Sequence, residues 1–414
     1  MKEKKKKTGL DDDFLSKEAK EERETALDYT QEIPDDEIWT YQVEGLAAPS
    51  IGKKVKNAKL KKTVFIIVLL LAIGLAMYFS IRTVHTDEYE YELLADGTYM
   101  LVSFSNTGDT TDIVVDYVVD LETGEKDYTK VVSAIDEYAF NCDEYLISIT
   151  IGESVNTIDC KSIYSCWYVQ NVYVDENNEY FCDIDGVLYT KDLTEIIYYP
   201  TDHDAYLRTQ TGYDNLLDDD GNAMTELWET TERYDEEFLA EYNSAVRTYV
   251  LPSTVTTIGD LAFAYSNITA LYIPEGVTYM GSMALFDNTV LLNIYSYTCD
   301  EVITDTTSAA IASMKTVYNS LPEGLEYIGS DCFYYTRALT YIYIPSSVTY
   351  IGHHAFWGAA YKDDGVLYGI TEINVALSED EFEEQVDVGD QWRPSYYRTL
   401  FKTSVPVNYS AERE

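Results

Sequence analysis

The chain has 414 residues, with 29 lysines and arginines against 73 aspartates and glutamates, so its formal net charge is −44. An apolar fraction of 46% excludes disorder along the whole length. The charge excludes a nucleic-acid binder, because recognition of phosphates requires a basic surface. Thirty-nine tyrosines are too many for a purely interior role and require an explanation of their own.

The first segment, residues 1–62, is predicted to be a mostly disordered cytoplasmic tail. It carries fourteen basic and fourteen acidic residues and is therefore neutral. Its second half is polar and contains Pro34, Gly45 and Pro49, which is typical of a linker. The whole negative charge consequently falls on the residues that follow the tail.

Residues 63–81, TVFIIVLLLAIGLAMYFSI, contain no charged side chain and are predicted to form a transmembrane helix. At about 1.5 Å per residue the run spans about 28 Å, enough for a bilayer core. Lysines precede it and acidic residues follow it, which predicts a cytoplasmic N-terminus and an extracellular remainder. A cleaved signal peptide is disfavoured by the long preceding segment, and a buried core helix by the flanking lysines.

The remainder of the chain repeats. Four related stretches, IDEYAF, IGDLAF, IGSDCF and IGHHAF, begin at Ile135, Ile258, Ile328 and Ile351, and the last two lie 23 residues apart. Each unit also contains a Leu-x-x-Ile-x-Ile ladder, which predicts a short strand with alternate residues buried. The proline after it ends the strand, and the glycine of Ile-Gly is predicted to adopt a conformation that a Cβ would strain. Because one unit cannot bury its apolar face alone, the units are predicted to stack into a solenoid.

The repeats divide the ectodomain into five predicted segments. A helix is predicted in the acidic insertion because Leu227, Tyr234, Phe238 and Tyr242 have helical spacing. The segments are an N-terminal cap (82–130), a first repeat block with an inserted hairpin (131–200), the acidic, partly helical insertion (201–248), a second repeat block (249–360) and a C-terminal cap segment (361–414). A second irregular stretch, residues 299–315, interrupts the second block.

These motifs resemble the BspA-like leucine-rich-repeat proteins of bacterial surfaces. The resemblance rests on IPEGVTYMGSMAL, LPEGLEYIGSDCF and IPSSVTYIGHHAF, and on DIDGVLYTKDLTEIIYYP (183–200), which is similar to the hairpin these proteins insert between repeats. DDGVLYG, from Asp363, resembles part of that hairpin, and YELLADGTY (91–99) resembles the usual start of the family. The resemblance implies a leucine-rich-repeat solenoid, with a short parallel strand and a turn or short helical segment in each 22–23-residue repeat. It also implies a surface-exposed interaction or adhesion module without catalytic residues.

Motifs of enzymatic or metal chemistry are scarce. The sequence has no HExxH, no Gly-x-Ser-x-Gly and no P-loop, so neither a catalytic residue nor a cofactor is predicted. His353 and His354 occupy a variable surface turn between Gly352 and Ala355, where metal ligation is disfavoured. Carboxylates are so abundant that two close together do not indicate glycoside hydrolysis.

One stretch of the insertion partly matches an EF-hand calcium loop. Asp218, Asp220, Asn222 and Glu229 fall at positions 1, 3, 5 and 12 of such a loop, and Glu226 falls at position 9. The glycine required at position 6 is replaced by alanine. A solvated acidic turn is therefore favoured over a formed metal site, and these residues are only weak candidates.

The tyrosines give the sharper hypothesis about binding. Between the buried residues of the predicted strands lie side chains that should point outward and stack into one column. Aromatic side chains with a polar tip on a rigid scaffold are typical of binding surfaces. An equally weighted alternative is a cross-strand ladder that only stabilises the sheet. The candidate ligand-binding residues are Tyr173, Tyr272, Tyr295, Tyr341 and Tyr343.

The sequence as a whole predicts a single-pass membrane protein with non-enzymatic binding activity at the bacterial surface. The expected ligand is an extracellular protein or glycan, and the acidity of the ectodomain favours a basic partner. Nucleic acid is not an expected partner. Two alternatives remain open: a cell-wall or glycan hydrolase, which would need a buried carboxylate pair, and a transmembrane sensor that acts through its cytoplasmic tail.

The six cysteines all follow the predicted membrane segment, so disulfides are permitted. Cys166 and Cys332 fall at buried positions of the repeat, which favours core packing. If one bridge forms, the predicted pair is Cys142 with Cys166, which should stack in adjacent repeats. Alkylation of the protein without reductant, followed by mass measurement, should then label four thiols; six labelled thiols would contradict the bridge.

Overall fold

The computed structural model describes residues 83–85, 89–106, 110–120, 123–140, 143–211, 236–363, 366–394 and 405–413. All of them lie within one compact unit, Leu70–Glu414. The predicted tail and the predicted membrane segment, residues 63–81, fall outside the described residues. Within the described part, no helix has both the length and the apolar character needed to cross a bilayer.

The fold is built from short strands with few helices. The strands of the N-terminal half are β1 (Thr83–His85), β2 (Tyr89–Leu93), β3 (Tyr99–Phe104), β4 (Asp112–Val115), β5 (Tyr117–Val119), β6 (Lys126–Ile135), β7 (Ser148–Ile151), β8 (Thr157–Ile158), β9 (Asn171–Val174), β10 (Phe181–Ile184), β11 (Val187–Thr190) and β12 (Glu195–Tyr198). Those of the C-terminal half are β13 (Thr248–Val250), β14 (Thr257–Ile258), β15 (Ala270–Pro274), β16 (Tyr279–Met280), β17 (Asn293–Thr298), β18 (Thr316–Tyr318), β19 (Tyr327–Ile328), β20 (Tyr343–Ile344), β21 (Tyr350–Ile351), β22 (Ala360–Asp363), β23 (Val366–Gly369), β24 (Ile373–Val375), β25 (Asp387–Val388) and β26 (Val407–Tyr409). The helices are α1 (His203–Thr211), α2 (Glu236–Val246) and α3 (Glu379–Gln385), with 3₁₀ helices at Cys160–Ser162 and Ser308–Ser313.

Each repeat contributes one strand to each of two parallel rows. The first row contains the Leu-x-Ile strands, which form the sheets β4-β7-β9, β13-β15-β17-β18 and β20-β24-β26. On β15, Leu271 and Ile273 are fully buried while Tyr272 between them is partly exposed, as the alternation predicts. The second row runs β12-β14-β16-β19-β21-β25, and from β14 onward it consists of the two-residue strands before each glycine.

The turns after each glycine form a third row, held by backbone hydrogen bonds between repeats. Leu261 and Tyr265 both have left-handed backbone angles, with φ of 60°, while Phe263 between them does not. Their amides donate to the next turn: Leu261 N to Ser282 O at 3.0 Å, and Tyr265 N to Phe286 O at 2.8 Å. Since left-handed residues cost about 1–2 kcal/mol each, the turns depend on these bonds.

The glycine of each Ile-Gly pair is required for close approach between repeats and not for an unusual φ. The expectation of a strained conformation is wrong, because these glycines are not in the left-handed region. A Cβ on Gly329 would instead lie 2.4 Å from Gly281 C, and one on Gly352 would lie 2.3 Å from Ser330 N. Each glycine therefore lets one turn pack directly against the backbone of the turn before it.

The predicted hairpin within residues 183–200 is present and separates two hydrophobic cores. β10 and β11 are antiparallel, and β12 joins the second row through β14. Alternate hairpin side chains face opposite sides: Leu188 and Tyr198 belong to the core of the N-terminal repeats, and Tyr189 and Ile196 to that of the C-terminal repeats. The hairpin therefore contributes side chains to the hydrophobic cores of both repeat blocks.

The C-terminal segment contains a further, degenerate repeat. β24, α3 and β25 lead to Gly389, and Trp392 packs against Phe356 with ring centroids 6.4 Å apart. The Phe356 amide donates to Trp392 O at 3.0 Å, as in the other turns. Trp392 therefore takes the position that Ala284, Cys332 and Ala355 occupy in the preceding repeats.

The irregular stretch at residues 299–315 breaks the first row, as β18 pairs with β17 in antiparallel orientation. Arg413 fills this break: its Nε donates to Ser320 Oγ at 2.7 Å, and its guanidinium lies 3.9 Å from the centre of the Tyr318 ring. The same guanidinium is paired with Glu275. The second row, in contrast, continues directly from β16 to β19.

The close approach at the glycines is testable by adding one methyl group. Gly329→Ala should destabilise the fold by about 1–3 kcal/mol, because its Cβ meets backbone atoms that cannot move independently. Gly276→Ala is the matched control, since its Cβ would meet nothing closer than Val255 O at 4.0 Å. The urea midpoint of the full-length chain measures both, and equal midpoints for the two variants would contradict the close-approach account.

Candidate binding surface

The structure does not gather the predicted strand-face tyrosines into one column. Tyr272 on β15 and Tyr295 on β17 are in register and stack, with centroids 4.8 Å apart and an interplanar angle of 28°. Tyr173 on β9 lies in a different sheet, is 38% exposed and is in register with Thr150. Tyr272 and Tyr295 therefore form a strand-face pair, to which Tyr173 does not belong.

The expectation that Tyr343 points outward is wrong. Tyr343 is only 4% exposed, while Tyr341, just before β20, is partly exposed. β24 pairs with β20 beside it, and burial raises the pKa of Tyr343, with Glu323 adding to the rise and Arg413 opposing it. The break in the first row allows Arg413 to approach this tyrosine, which a regular repeat would leave on the open face.

A second set of tyrosines, absent from the predicted site, forms a longer stack. Tyr279, Tyr327 and Tyr350 lie on β16, β19 and β21, and neighbouring ring centroids are 4.6 Å apart with interplanar angles of 9° and 10°. All three are partly exposed. We refer to them as the tyrosine ladder. A sequence signal for it existed, because a tyrosine precedes Met-Gly or Ile-Gly in VTYMG, LEYIG and VTYIG.

The tyrosine ladder belongs to a row of six side chains that ends in a carboxylate at each side. The strand register runs Glu195, Thr257, Tyr279, Tyr327, Tyr350 and Asp387. At about 4.8 Å between strands, the two terminal residues lie about 24 Å apart. The row thus presents an aromatic centre between two acidic ends.

A groove of about 430 Å³ opens at the Glu195 end of this row, lined among others by Asp159, Cys160, Glu195, Asp260 and Tyr279. Burial raises the pKa of Glu195, and repulsion from Asp260 and Asp192 adds to the rise. Burial, together with Asp159 and Asp260, raises the pKa of Cys160 to about 11. A thiol with a raised pKa is a poor nucleophile, so Cys160 is not suited to covalent chemistry in this groove.

A third aromatic row follows the turns. Tyr265, Phe286, Tyr334 and Trp357 contact one another in sequence, with centroid distances of 5.4, 4.7 and 4.8 Å, and are partly exposed. Trp167 contacts Tyr265 at 4.6 Å and is 43% exposed. Aromatic side chains thus line the turns as well as both strand rows.

The histidine pair lies on a turn, as its sequence position predicts. The His353 and His354 ring centroids are 3.7 Å apart, and His354 Nδ1 is 3.7 Å from Asp331 Oδ1. In the described part of the chain, no three His, Cys, Asp or Glu side chains are grouped as metal ligands. The weak calcium candidates, Asp218, Asp220, Asn222, Glu226 and Glu229, lie outside the described residues.

Two neighbouring carboxylates, of which only Asp204 is buried, lie at the start of the insertion, whereas a hydrolase would need a buried pair. Asp204 is 3% exposed, and it accepts from Arg247 at 3.5 Å and from Asn267 Nδ2 at 3.2 Å. Burial raises the pKa of the neighbouring Asp202 to about 7, with repulsion from Asp204 adding to the rise and Arg208 opposing it. Because Asp204 is held by an internal ion pair, the arrangement is that of a structural network.

The cysteines divide into buried and half-buried thiols. Cys332 is fully buried in the alanine position of its repeat, which confirms the predicted core packing. Cys332, Cys160, Cys182 and Cys299 are free thiols. Cys166 is buried, with its Sγ 3.1 Å from Phe140 O. Cys142 lies outside the described residues, so its bridge to Cys166 stays a prediction.

Two strand rows and a turn row per 22–23-residue unit define a leucine-rich-repeat protein. The model of the BspA type leucine rich repeat region matches residues 124–197 and 237–362 in six copies. These residues belong to the BspA-type leucine-rich-repeat family. No curated protein matches it.

Several solved structures are similar to the chain. The pneumococcal vaccine antigen PcpA is 16% identical, with 74% of this chain and 98% of that one covered and a TM-score of 0.31. A leucine-rich repeat protein from Bacteroides ovatus is 14% identical, with coverages of 79% and 76% and a TM-score of 0.32. A leucine rich cell surface protein from Faecalibacterium prausnitzii is 16% identical, with coverages of 77% and 95% and a TM-score of 0.26.

The raised pKa of Asp202 makes stability depend on pH. Its ordinary value is 3.8, so from about pH 4 to 7 the folded chain keeps a proton that the unfolded chain releases, and this residue makes stability fall as pH rises. Asp202→Asn removes that fall. The free energy of unfolding of this variant should exceed that of the wild type by an amount that grows between pH 5 and 8 to on the order of 2 kcal/mol. Urea denaturation midpoints measure this difference.

Asp192→Asn is the control of opposite sign for this experiment. Hydrogen bonds from Thr194 and Thr190 lower the pKa of Asp192, so its substitution should not stabilise the chain at pH 8. A difference between Asp202→Asn and the wild type that does not change with pH would contradict the role given to Asp202.

Proposed function

We propose that this protein is a non-enzymatic binding protein of the bacterial cell surface, which presents an acidic, tyrosine-rich repeat surface to protein or glycan ligands. The observation that carries the proposal is the presence of stacked, partly exposed tyrosines on both strand rows, the strand-face pair and the tyrosine ladder. A rigid aromatic surface binds with little loss of side-chain entropy, because its rings are already held in place before the ligand arrives.

The predicted candidates Tyr173, Tyr272, Tyr295, Tyr341 and Tyr343 stay part of this proposal to different degrees. Tyr272 and Tyr295 offer a continuous two-ring surface, and Tyr173 offers a separate exposed ring. Tyr343 is buried and is therefore not available for direct contact with a ligand, whereas Tyr341 is partly exposed. The strand-face pair is therefore the best supported of the five for direct contact with a ligand.

The cellular placement is also a proposal. Residues 63–81 would anchor the chain in the bacterial membrane with its N-terminus in the cytoplasm and its repeats outside. The match to the BspA-type repeat model is in keeping with such a location. A net charge of −44 would keep the exposed repeats soluble at high local density.

The strand-face pair can be tested by substitution. Tyr272→Ala combined with Tyr295→Ala should weaken capture by a panel of immobilised surface glycans and matrix proteins about tenfold, because both rings of one contact surface are lost. Surface plasmon resonance of the full-length protein measures the change. Tyr128→Ala is the control, since Tyr128 is 74% exposed and lies outside the strand-face pair and the ladder. Unchanged capture by the double variant would contradict the proposed role of this pair.

A further inference from the structure

We propose that the tyrosine ladder and the acidic groove beside it bind an extended lysine- or arginine-rich segment of a partner protein. The inference rests on the proposed binding function and names the chemical class of one ligand. Its occupant is a polypeptide with cationic side chains, which the charges, the rings and the dimensions of this face favour over a neutral glycan.

The first argument is the distribution of charge along the second strand row. Glu195 and Asp387 end the register row that contains the ladder. A second row of side chains is formed by the residues that directly follow the glycines of the Ile-Gly motif and its equivalents. This row also ends in carboxylates, Asp260 at one end and Asp390 at the other. Neither row carries a lysine or arginine from β12 to β25 in the described chain. A ligand on this face therefore meets negative charge at both ends and no competing cation from the row itself.

The second argument is that the groove holds carboxylates under mutual repulsion. Glu195 and Asp260 line the same groove; burial raises the pKa of Glu195, and repulsion from Asp260 adds to the rise. The Oδ1 atom of Asp260 is fixed by the amide of Ser282 at 2.7 Å, so this carboxylate cannot turn away freely. Lys161, close to the groove, is engaged by Glu137 at 3.2 Å. An ammonium or guanidinium group entering the groove would relieve the repulsion, whereas a sugar hydroxyl would not.

The third argument is that the chain recognises one cation of its own by the same chemistry. The Arg413 guanidinium lies 3.9 Å from the centre of the Tyr318 ring and pairs with Glu275. The Tyr279 ring likewise shares one groove with the carboxylates of Glu195 and Asp260. Cations over tyrosine rings gain from both the ring quadrupole and the nearby charge.

The dimensions of the face indicate an extended chain. The row from Glu195 to Asp387 spans about 24 Å, which an extended polypeptide covers in about seven residues. The three rings between these ends are parallel and 4.6 Å apart, so their exposed edges form a continuous floor for the aliphatic stems of lysine or arginine. The segment would lie across the strands, with cationic side chains at the acidic ends.

The experiment uses the full-length protein and a labelled twelve-residue peptide of alternating lysine and serine, with fluorescence anisotropy at physiological salt. Glu195→Gln, which removes a charge, and Tyr327→Ala, which removes the middle of the apolar floor, should each raise the Kd about fivefold to tenfold. Glu301→Gln removes the same charge from an exposed position away from the face, and Tyr128→Ala removes an exposed ring; both should stay within about twofold of the wild type. Glu195→Gln keeps the shape of the side chain. Its Kd therefore tests the proposal even if Tyr327→Ala lowers the stability of the fold.

Two further probes separate the possible outcomes. A glutamate–serine peptide and a linear N-acetylglucosamine hexamer should not compete with the lysine peptide. Equal weakening by Glu301→Gln and Glu195→Gln would overturn the proposal, because binding would then reflect net charge alone. Absence of peptide binding, with capture by glycans or matrix proteins intact, would overturn this inference only, whereas absence of both would also overturn the proposed function.

Discussion

The structure depends on how closely one turn can approach the next. At Gly281, Gly329 and Gly352 the backbones of successive repeats touch where any other residue would place a Cβ. This contact brings alternate amides of one turn within hydrogen-bonding distance of the carbonyls of the following turn. The apolar residues can then be shared between neighbours, which no single repeat achieves alone. The buried Phe263, Phe333 and Phe356 follow from this spacing rather than determine it.

The same spacing explains why the chain contains so many tyrosines. In parallel strands held in register, a residue at one position of the repeat lies next to its equivalent in the following repeat, about 4.8 Å away. That distance suits stacked rings, and the observed centroid separations in the ladder are 4.6 Å. Stacking stabilises the sheet, while the exposed edges of the same rings remain available for contact. The structural and binding interpretations of the tyrosines are therefore compatible.

Structural features that recur in every repeat can be predicted from the sequence, whereas features that arise where the repeat is interrupted cannot. The period of 22–23 residues, the buried Leu271 and Ile273 and the hairpin within 183–200 follow from the sequence pattern. The burial of Tyr343 does not, because it depends on a break at 299–315 and on Arg413, far along the chain. The repeat around Trp392 was missed since only a Val-Gly pair and one aromatic residue resemble the motif.

The direction of the hydrogen bonds between turns has a mechanical consequence. Those bonds, such as Phe333 N to Ala355 O at 2.7 Å, point from one repeat to the next. For a chain held at its N-terminal end and pulled from the other, the load would separate one repeat from its neighbour a few bonds at a time. Each released repeat of about 23 residues would add roughly 75 Å of extended chain. Such a module would lengthen in small steps under flow and so limit the peak force on whatever it holds.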